Sequence, residues 1–264
     1  MLDSLAPARR RLVVGLLGVV ALAVAAAAVA LGVSAFGSGD QVTPVAQDAQ
    51  PPVLLVPGYG GGTAGLDVMA AALRKAGRDV TVVQLAGNGT GDLHEQAAVL
   101  QRAVQATGSP SVDVVGYSAG GVTARLWMTS YDGGSVARRI VTLGSPQHGT
   151  DLAGLATDVA PDACPEACRQ LAPDSDLLRG LNHGDETPAG PLWVSIWTTD
   201  DQISTPPETA SLAGALDVAI QQVCPSAQIS HGELPTSPIV IAMVEAELGR
   251  AAPTMPGAEV CVSR

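Results

Sequence analysis

The sequence predicts an α/β fold in which a mostly parallel central sheet is covered by helices on both faces. Strand candidates alternate with helix candidates along residues 51–264, as they do in proteins built from β-α-β units. The runs Val53–Val56 and Val112–Val115 are almost wholly apolar, which is typical of strands buried on both faces. Neither an internal repeat nor a second linker interrupts this region, so we expect a single domain.

In the first half of this region, short apolar runs that end at turn residues predict strands, and apolar residues at helical spacing predict helices. Pro57 and Gly58 end the first strand, Gly77 ends the first helix, and Gly108 follows the second helix. The predicted elements are strands at Val53–Val56, Asp79–Leu85 and Ser111–Val115, with helices at Leu66–Ala76 and Leu93–Ala106.

The second half continues the alternation with one long interruption. Residues 151–190 separate two strands and contain Pro161, Pro165 and Pro173. This stretch is either a mobile lid or a loop stapled by a disulfide, and the prolines favour the loop because they limit motion. The predicted elements are a helix at Ala119–Tyr131, strands at Arg139–Leu143, Pro191–Thr198 and Ser226–Ser230, and a final helix at Ile239–Leu248.

The composition excludes several classes of protein. The chain has 264 residues and a formal net charge of −11. Nucleic-acid-binding proteins carry basic surfaces, so we expect no nucleic-acid partner. Hydrophobic residues make up 47% of the chain and charged residues 15%, a balance that argues against a disordered protein. Because aromatic residues are only 3%, we expect a core of Val, Leu, Ile and Ala.

The N-terminal region predicts an export signal or a membrane anchor that forms a hydrophobic helix. The 25 residues of Leu12–Phe36 carry no charge and follow three arginines, which is the order found in signal sequences. Their length suffices to span a bilayer, whereas the small residues ending at Ala35 offer a cleavage site. Either outcome places the remaining chain outside the cytoplasm. We expect a cytoplasmic basic segment at 1–11, a transmembrane signal anchor or signal peptide at 12–36, a linker at 37–50 and a folded domain at 51–264.

The four cysteines fit an oxidising compartment. Their number is even, and sequence alone allows three disulfide connectivities. We expect local pairing, because one pair would close a short loop and the other would tie the end of the chain to the body. A zinc site is the competing interpretation, but no histidine or second cysteine pair has zinc-like spacing, so we expect no metal. The predicted disulfides are Cys164–Cys168 and Cys224–Cys261.

Candidate chemistry concentrates at Ser118. Residues 116–120 read Gly-Tyr-Ser-Ala-Gly, which fits the Gly-x-Ser-x-Gly pattern of a nucleophile elbow. The pentapeptide follows a strand candidate and opens a helix candidate, and this context is what such an elbow requires. The helix N-terminus behind the serine favours developing negative charge. The competing interpretation is a glycine-rich turn with an unreactive serine.

A nucleophilic serine needs a base and a carboxylate that orients the base. Of the four histidines, His231 lies in a loop just before the last helix, from which it could reach the serine. Asp200 and Asp201 directly follow a strand, at the edge where sites of open α/β sheets form. The residues alone leave open which of these two aspartates orients the base. We expect His94, His148 and His183 to play no catalytic part.

Two backbone N–H groups would complete the site as an oxyanion hole. One should belong to Ala119, the residue after the nucleophile, and the other to the loop after an early strand. Tyr59 is the candidate donor in that loop, because Gly58 permits close approach of the backbone. A phosphate-binding loop is the rival interpretation. It fails because no Gly-Lys-Ser/Thr follows and no ribose-binding acid accompanies the glycines.

These motifs occur together in a known family. The chain resembles the small bacterial secreted lipases of the α/β-hydrolase fold, especially the actinobacterial esterase/lipase group, over about residues 51–264. The resemblance implies that Asp201 rather than Asp200 is the acid, and that His148 is structural. One departure is that many relatives carry His-Gly at residues 57–58. The motifs that carry the resemblance are Pro57-Gly58-Tyr59-Gly60, Gly116–Gly121, Leu143–Thr150, Asp201-Gln202-Ile203 and Ser230-His231-Gly232.

The resemblance implies an ester hydrolase of the triacylglycerol lipase type that acts through an acyl-enzyme. Its catalytic residues would be Ser118, Asp201 and His231, with Tyr59 and Ala119 in the oxyanion hole. The expected partner is an ester or lipid substrate, together with the membrane if residues 12–36 stay uncleaved, and no cofactor is expected. Two alternatives remain open: a serine hydrolase or acyltransferase acting on thioesters or peptides, and a non-catalytic, membrane-tethered binding protein.

Overall fold

A computed structural model describes residues 42–262. The predicted cytoplasmic segment at 1–11 and the predicted anchor or signal segment at 12–36 therefore lie outside the described residues. No helix within the described range is long and apolar enough to cross a membrane.

The described chain forms a six-stranded, wholly parallel sheet. The strand order is β2-β1-β3-β4-β5-β6, so the chain moves outward in both directions from the centre and all carboxyl ends meet at one edge. That edge is where α/β sheets place their sites. The strands are β1 (Val53–Val56), β2 (Val80–Val82), β3 (Val112–Tyr117), β4 (Ala137–Leu143), β5 (Leu192–Trp197) and β6 (Leu216–Ala219).

Helices cover both faces of this sheet, as the sequence predicts. Alternate strand side chains point to opposite faces, so Leu54 packs with one set of helices and Leu55 with the other. On the first face lie α2 and α3, and on the second lie α1 and α8. The helices are α1 (Ala64–Lys75), α2 (Leu93–Ala106), α3 (Ala119–Ser130), α4 (Asp151–Val159), α5 (Glu166–Gln170), α6 (Asp176–Leu181), α7 (Ile220–Val223) and α8 (Pro238–Glu247).

The prediction of a strand at Ser226–Ser230 is wrong. The sixth strand is β6 instead, which lies ten residues earlier at the sheet edge and pairs with β5. Its pattern was hard to detect because it has four residues and its first two are only partly buried. Around Ile229 the backbone is irregular. The Ile229 carbonyl accepts a hydrogen bond from the Thr198 hydroxyl at 2.7 Å rather than from a neighbouring strand.

The stretch 151–190, here called the cap, contains three short helices rather than an extended loop. It comprises α4, a 3₁₀ turn at Pro161–Ala163, α5 and α6. The Cys164–Cys168 disulfide joins the 3₁₀ turn to α5. The second predicted disulfide, Cys224–Cys261, ties the C-terminal 3₁₀ turn (Ala258–Cys261) to the end of α7. Both predicted pairings are present.

A charged cluster is buried at the amino end of the sheet, opposite the carboxyl ends. Asp113, at the start of β3, is fully buried and accepts hydrogen bonds from two arginines. Arg138 approaches both carboxylate oxygens, at 2.8 and 2.5 Å, and Arg78 approaches one at 2.6 Å. Both guanidinium groups also donate to the Leu248 carbonyl. The cluster therefore fastens the end of α8 to the central strands.

Candidate active site

Ser118 occupies a sharp turn between β3 and α3. Its φ of 54° and ψ of −128° place a non-glycine residue in a strained backbone region. Such a turn needs small neighbours, because a Cβ on Gly116 would lie 2.6 Å from the backbone nitrogen of Gly121. A Cβ on Gly120 would collide with the carbonyl oxygen of Val56. The glycines of the motif thus allow the strand, the turn and the helix to pack together.

The structure brings Ser118, His231 and Asp201 together. The Ser118 Oγ lies 3.0 Å from His231 Nε2, and His231 Nδ1 lies 2.7 Å from Asp201 Oδ2. All three residues are buried, with exposures of 9%, 6% and 5%. An ionised carboxylate only accepts hydrogen bonds, so Nδ1 carries the imidazole proton and Nε2 is free to accept the serine proton. This arrangement can activate the hydroxyl as a nucleophile.

The two candidate aspartates differ in their surroundings. The second oxygen of Asp201 accepts the backbone N–H groups of Ile203 at 2.9 Å and Ser204 at 2.8 Å. These bonds fix the carboxylate in the orientation that reaches His231. Asp200 is exposed and its carboxylate is 3.3 Å from the amide nitrogen of Gln221. Of the two aspartates, Asp201 is therefore the one whose carboxylate lies against His231.

The other histidines lie away from Ser118. His148 sits in the loop after β4, where Nε2 is 2.8 Å from the Glu186 carboxylate and Nδ1 is 3.2 Å from the Thr209 carbonyl. Burial is the largest single influence on Glu186 and raises the pKa of its carboxyl, but the hydrogen bonds from His148 and from a backbone N–H, together with nearby positive charge, outweigh it and lower the pKa. His94 starts α2, and His183 lies in the cap. His148 links the cap to the sheet, as expected of a structural residue.

Sequence reasoning missed the part played by Tyr117. Its ring lies 5.2 Å from the His231 ring, and its hydroxyl donates to the His231 carbonyl at 3.2 Å. Burial, assisted by the charge of Asp201, raises the pKa of Tyr117 to about 12. The phenol therefore stays protonated and holds the histidine loop in place. Its only signal in the sequence is its place as the first variable residue of the Gly-x-Ser-x-Gly pattern.

The predicted oxyanion donors belong to Ala119, which follows Ser118 in the chain, and to Tyr59, which lines the same pocket as Ser118. Ala119 is the first residue of α3, so its N–H has no partner within the helix. Tyr59 follows Gly58 in the turn after β1, and a Cβ on Gly58 would lie 2.8 Å from Ser118 Cβ. Over residues 42–262, neither backbone N–H donates to another backbone carbonyl. Both donors thus remain available to a ligand beside Ser118.

A pocket of about 370 Å³ opens beside Ser118. Apart from Ser118, Thr150 and Ser204, it is lined mainly by apolar groups, and none of the described residues that line it is charged. Within the described range, no group of three or more His, Cys, Asp or Glu side chains is arranged to hold a metal ion. The remaining lining residues are Tyr59, Pro146, Leu152, Ala153, Ala156, Ala163, Cys168, Leu171 and Ile203.

The chain is similar to proteins of known structure. A family profile described as alpha/beta hydrolase fold matches residues 51–173. Aspergillus fumigatus lipase B is 19% identical with a TM-score of 0.65, and the match covers 75% of this chain and 52% of that one. Bacillus licheniformis lipase BlEst2, in its mature form, is 21% identical with a TM-score of 0.54 and coverages of 68% and 86%. The chain thus spans about half of the Aspergillus lipase.

A third similar structure is MGS-MChE2, an alpha/beta hydrolase from the metagenome of lagoon sediments at Mar Chica, Morocco. It is 19% identical with a TM-score of 0.50, and the match covers 71% of this chain and 86% of that one. No curated protein matches this chain. At these identities, the structural likeness is evidence for the fold.

Proposed function

Because this chain has the α/β-hydrolase fold, we propose that it is an extracytoplasmic serine hydrolase that cleaves carboxylic esters. One observation carries the proposal: a strained serine lies within hydrogen-bond distance of a histidine whose other nitrogen faces a buried carboxylate. In this proposal Ser118 is the nucleophile, His231 the general base and Asp201 the residue that orients the base. The similarity of its fold to those of two lipases supports an ester as the substrate.

The proposed reaction proceeds through an acyl-enzyme. His231 Nε2 takes the Ser118 proton as Oγ attacks the ester carbonyl carbon, and the carbonyl π electrons move to oxygen. When the tetrahedral intermediate collapses, the alcohol leaves with the proton that His231 returns. Water, activated by the same histidine, then attacks the acyl-enzyme and releases the acid. Asp201 stabilises the imidazolium that forms in each half of the cycle.

The backbone donors supply the remaining stabilisation. The N–H groups of Tyr59 and Ala119 are proposed to bind the oxygen on which negative charge develops. Removal of one such donor in hydrolases costs about 10²–10³-fold in kcat. The N-terminus of α3 adds a favourable dipole at the same point. The loop after β1 begins with Pro57 rather than histidine, and two backbone hydrogen bonds fix its turn, from Gly61 N–H to the Gly58 carbonyl at 3.1 Å and from Gly60 N–H to the Gly89 carbonyl at 3.3 Å.

The proposed location outside the cytoplasm rests on two features. The uncharged stretch at 12–36 follows three arginines, which is the pattern of an export signal or anchor. In addition, all four cysteines form disulfides, and such bonds persist in oxidising compartments. Whether the stretch is cleaved decides between a secreted and a membrane-anchored enzyme. Immunoblots of the membrane and medium fractions, with N-terminal sequencing, distinguish these two forms.

The test of the proposed chemistry is covalent labelling together with hydrolysis. The full-length chain should react with a fluorophosphonate probe and hydrolyse p-nitrophenyl acetate, because both reactions need an activated serine. Ser118→Ala should lose both. Ser135→Ala is the matched control, since Ser135 lies exposed in a 3₁₀ turn (Gly133–Ser135) at the amino side of β4. Labelling of the Ser118→Ala chain would show that another residue reacts and would refute the assignment.

Substrate panels separate ester hydrolysis from the other proposed classes. A chain that is labelled by the probe but hydrolyses thioesters or peptides faster than carboxylic esters would be a serine hydrolase of another class. A chain that neither labels nor hydrolyses any of these substrates would be a binding protein that retains the fold.

A further inference from the structure

We infer that the alanine-rich inner wall of the cap limits the acyl chain to short and medium lengths, and that Ala156 sets this limit. The inference rests on the proposed function, because the pocket becomes an acyl site only if Ser118 is acylated. The wall consists of Ala153 and Ala156 on α4 and Ala163 in the 3₁₀ turn, all of which line the pocket beside Ser118.

The lining of the pocket specifies an uncharged, apolar group. Leu171 and Ala153 are buried there, and Leu152 and Ile203 are about half exposed at its margin. Since none of the described lining residues is charged, nothing compensates for the desolvation of an ionised acyl chain. An aliphatic chain, by contrast, gains up to about fourfold in binding for each buried methylene.

The volume of the pocket sets the length of that group. A methylene is similar in size to a water molecule, whose share of liquid volume is about 30 Å³. The pocket of about 370 Å³ lies near the lower end of the range of ligand pockets, about 300–1,000 Å³. The ester group and part of the alcohol must share this space, and ligands do not fill pockets completely. An acyl chain of four to eight carbons fits these limits.

The limit on acyl length holds only if the wall keeps its position. At the end of the cap, a buried arginine holds the chain through several hydrogen bonds. Arg125 on α3 is 1% exposed. Its guanidinium donates to the carbonyls of Leu181 at 2.9 Å and Glu186 at 3.1 Å, and to the side-chain oxygen of Asn182 at 2.9 Å. The guanidinium has five N–H donors in a rigid planar group, so it can bond to several acceptors at once. The helix that follows Ser118 is thus joined directly to the last part of the cap.

Two further links secure the middle of the cap. The side chain of Gln170 in α5 accepts the N–H of Leu93 at 2.7 Å and donates to Asp92 at 2.6 Å. The Cys164–Cys168 disulfide then holds the 3₁₀ turn against α5. Ala163 directly precedes this disulfide, and Cys168 itself lines the pocket. The 3₁₀ turn that carries Ala163 is therefore attached through α5 to α2, and α4 contacts this turn where the Thr157 hydroxyl lies 3.5 Å from Cys164 Sγ.

Ala156 is the most informative position in this wall. It is half-buried on α4, and leucine is a good helix former that adds three carbon groups to the alanine side chain. These groups would take about 90 Å³, a quarter of the pocket. Asp158 offers a matched control, because it lies on the same helix, is exposed and does not line the pocket.

The experiment measures kcat/KM on p-nitrophenyl esters from two to sixteen carbons. It uses full-length chains in one non-ionic detergent at a fixed concentration. The unaltered chain should have its optimum between four and eight carbons. Ala156→Leu should move the optimum two to three carbons shorter and lower kcat/KM on the eight-carbon ester at least tenfold. Its loss of activity on the acetate should be smaller than its loss on the eight-carbon ester, and Asp158→Leu, outside the pocket, should leave the whole profile unchanged.

Ala163→Leu provides a second test if Ala156→Leu does not fold, because Ala163 is exposed on one side and lines the pocket on the other. An optimum at twelve or more carbons, or folded variants with unchanged profiles, would overturn the inference while acetate hydrolysis and probe labelling uphold the ester hydrolase. If the unaltered chain hydrolyses no ester at all, the proposed function fails and the acyl limit fails with it.

Discussion

The two ends of the sheet each bury an aspartate, but they give it different partners. At the amino end, Asp113 pairs with Arg78 and Arg138. At the carboxyl end, Asp201 pairs with His231. Arginine keeps its proton in proteins, whereas histidine is the side chain best suited to gain and lose one near neutrality. A buried carboxylate thus serves as a fixed counter-charge at one end and supports proton transfer at the other.

The arginine partners of Asp113 and the histidine partner of Asp201 should differ in how much they contribute to the free energy of unfolding. Removing one member of a buried ion pair leaves an uncompensated charge, so the amino-end cluster should determine whether the chain folds. In the Asp201–His231 pair, the carboxylate also accepts backbone N–H groups, and the other nitrogen of the histidine faces the Ser118 hydroxyl. The aspartate therefore keeps hydrogen-bond partners even when the histidine is altered. Substitutions there should alter catalysis far more than stability. Four predictions test this contrast.

The largest effect is expected for Asp201→Asn. An amide can donate to His231 Nδ1, which would move the imidazole proton to Nε2 and prevent it from accepting the Ser118 proton. We expect kcat/KM on p-nitrophenyl esters to fall by about 10³–10⁴-fold, with little change in the midpoint of thermal unfolding. Asp200→Asn is the control and should stay within twofold. Equal losses in the two variants would contradict the assignment of Asp201.

Asp113→Asn should have the largest effect on stability. It leaves two buried guanidinium groups without a counter-charge, which costs about 3–5 kcal/mol of unfolding free energy. Urea unfolding followed by circular dichroism measures this loss. Asp67→Asn, at an exposed position on α1, should change the midpoint very little. If Asp113→Asn matches that control in stability, the amino-end cluster does not hold the fold together.

Glu247 should make the stability of the chain depend on pH. It is 2% exposed, and burial raises its pKa to about 7 despite the attraction of Arg139. Because the folded state then binds more protons at this carboxyl than the unfolded state, the contribution of Glu247 to stability is greatest at low pH. It should fall by about 1–3 kcal/mol as the pH rises from about 4.5 through 7.

Urea titrations at pH 5 and pH 8 measure the dependence on Glu247. Glu247→Gln should remove most of the difference between the two, because glutamine does not titrate. Glu259→Gln, at an exposed position, should retain it. A difference that persists unchanged in Glu247→Gln would assign the dependence to other groups.

The smallest effect is expected for Tyr117→Phe. The substitution removes one hydrogen bond, to the His231 carbonyl, and keeps the ring contact with the imidazole. The loss of one such bond is worth about 1 kcal/mol, so we expect kcat to fall by about three- to tenfold with KM unchanged. Steady-state kinetics on a short-chain ester measure this change. A loss above 100-fold would instead place the phenol in the chemical step.

Local features of the site could be predicted from the sequence, because they depend on neighbouring residues. The elbow at Ser118 requires a strand, glycines and a helix in immediate succession, and all of these are visible in residues 112–130. The disulfides could be predicted as well, because each joins two cysteines that are consecutive along the chain, although the second pair is 37 residues apart. The α/β alternation was equally local, because each buried strand is a short apolar run bounded by turn residues.

Features that depend on the folded surroundings could not be predicted in this way. Asp200 and Asp201 are adjacent and chemically identical, and only the N–H groups of Ile203 and Ser204 decide which carboxylate faces the histidine. The short helices α5 and α6 have five and six residues, which is too few for a helical period to emerge. Asp113 interrupts an apolar strand, and its arginine partners come from separate parts of the chain.

The position of Val42, the first described residue, determines which end of the domain faces a surface to which it is attached. The Gln47 carbonyl accepts a hydrogen bond from Arg138 at the amino end of the sheet. The pocket and Ser118 lie at the carboxyl end. A fusion partner, a bead or a surface joined directly at Val42 would therefore be tethered at the end remote from the pocket. Immobilisation at Val42 itself should leave the pocket facing outward and open to substrate.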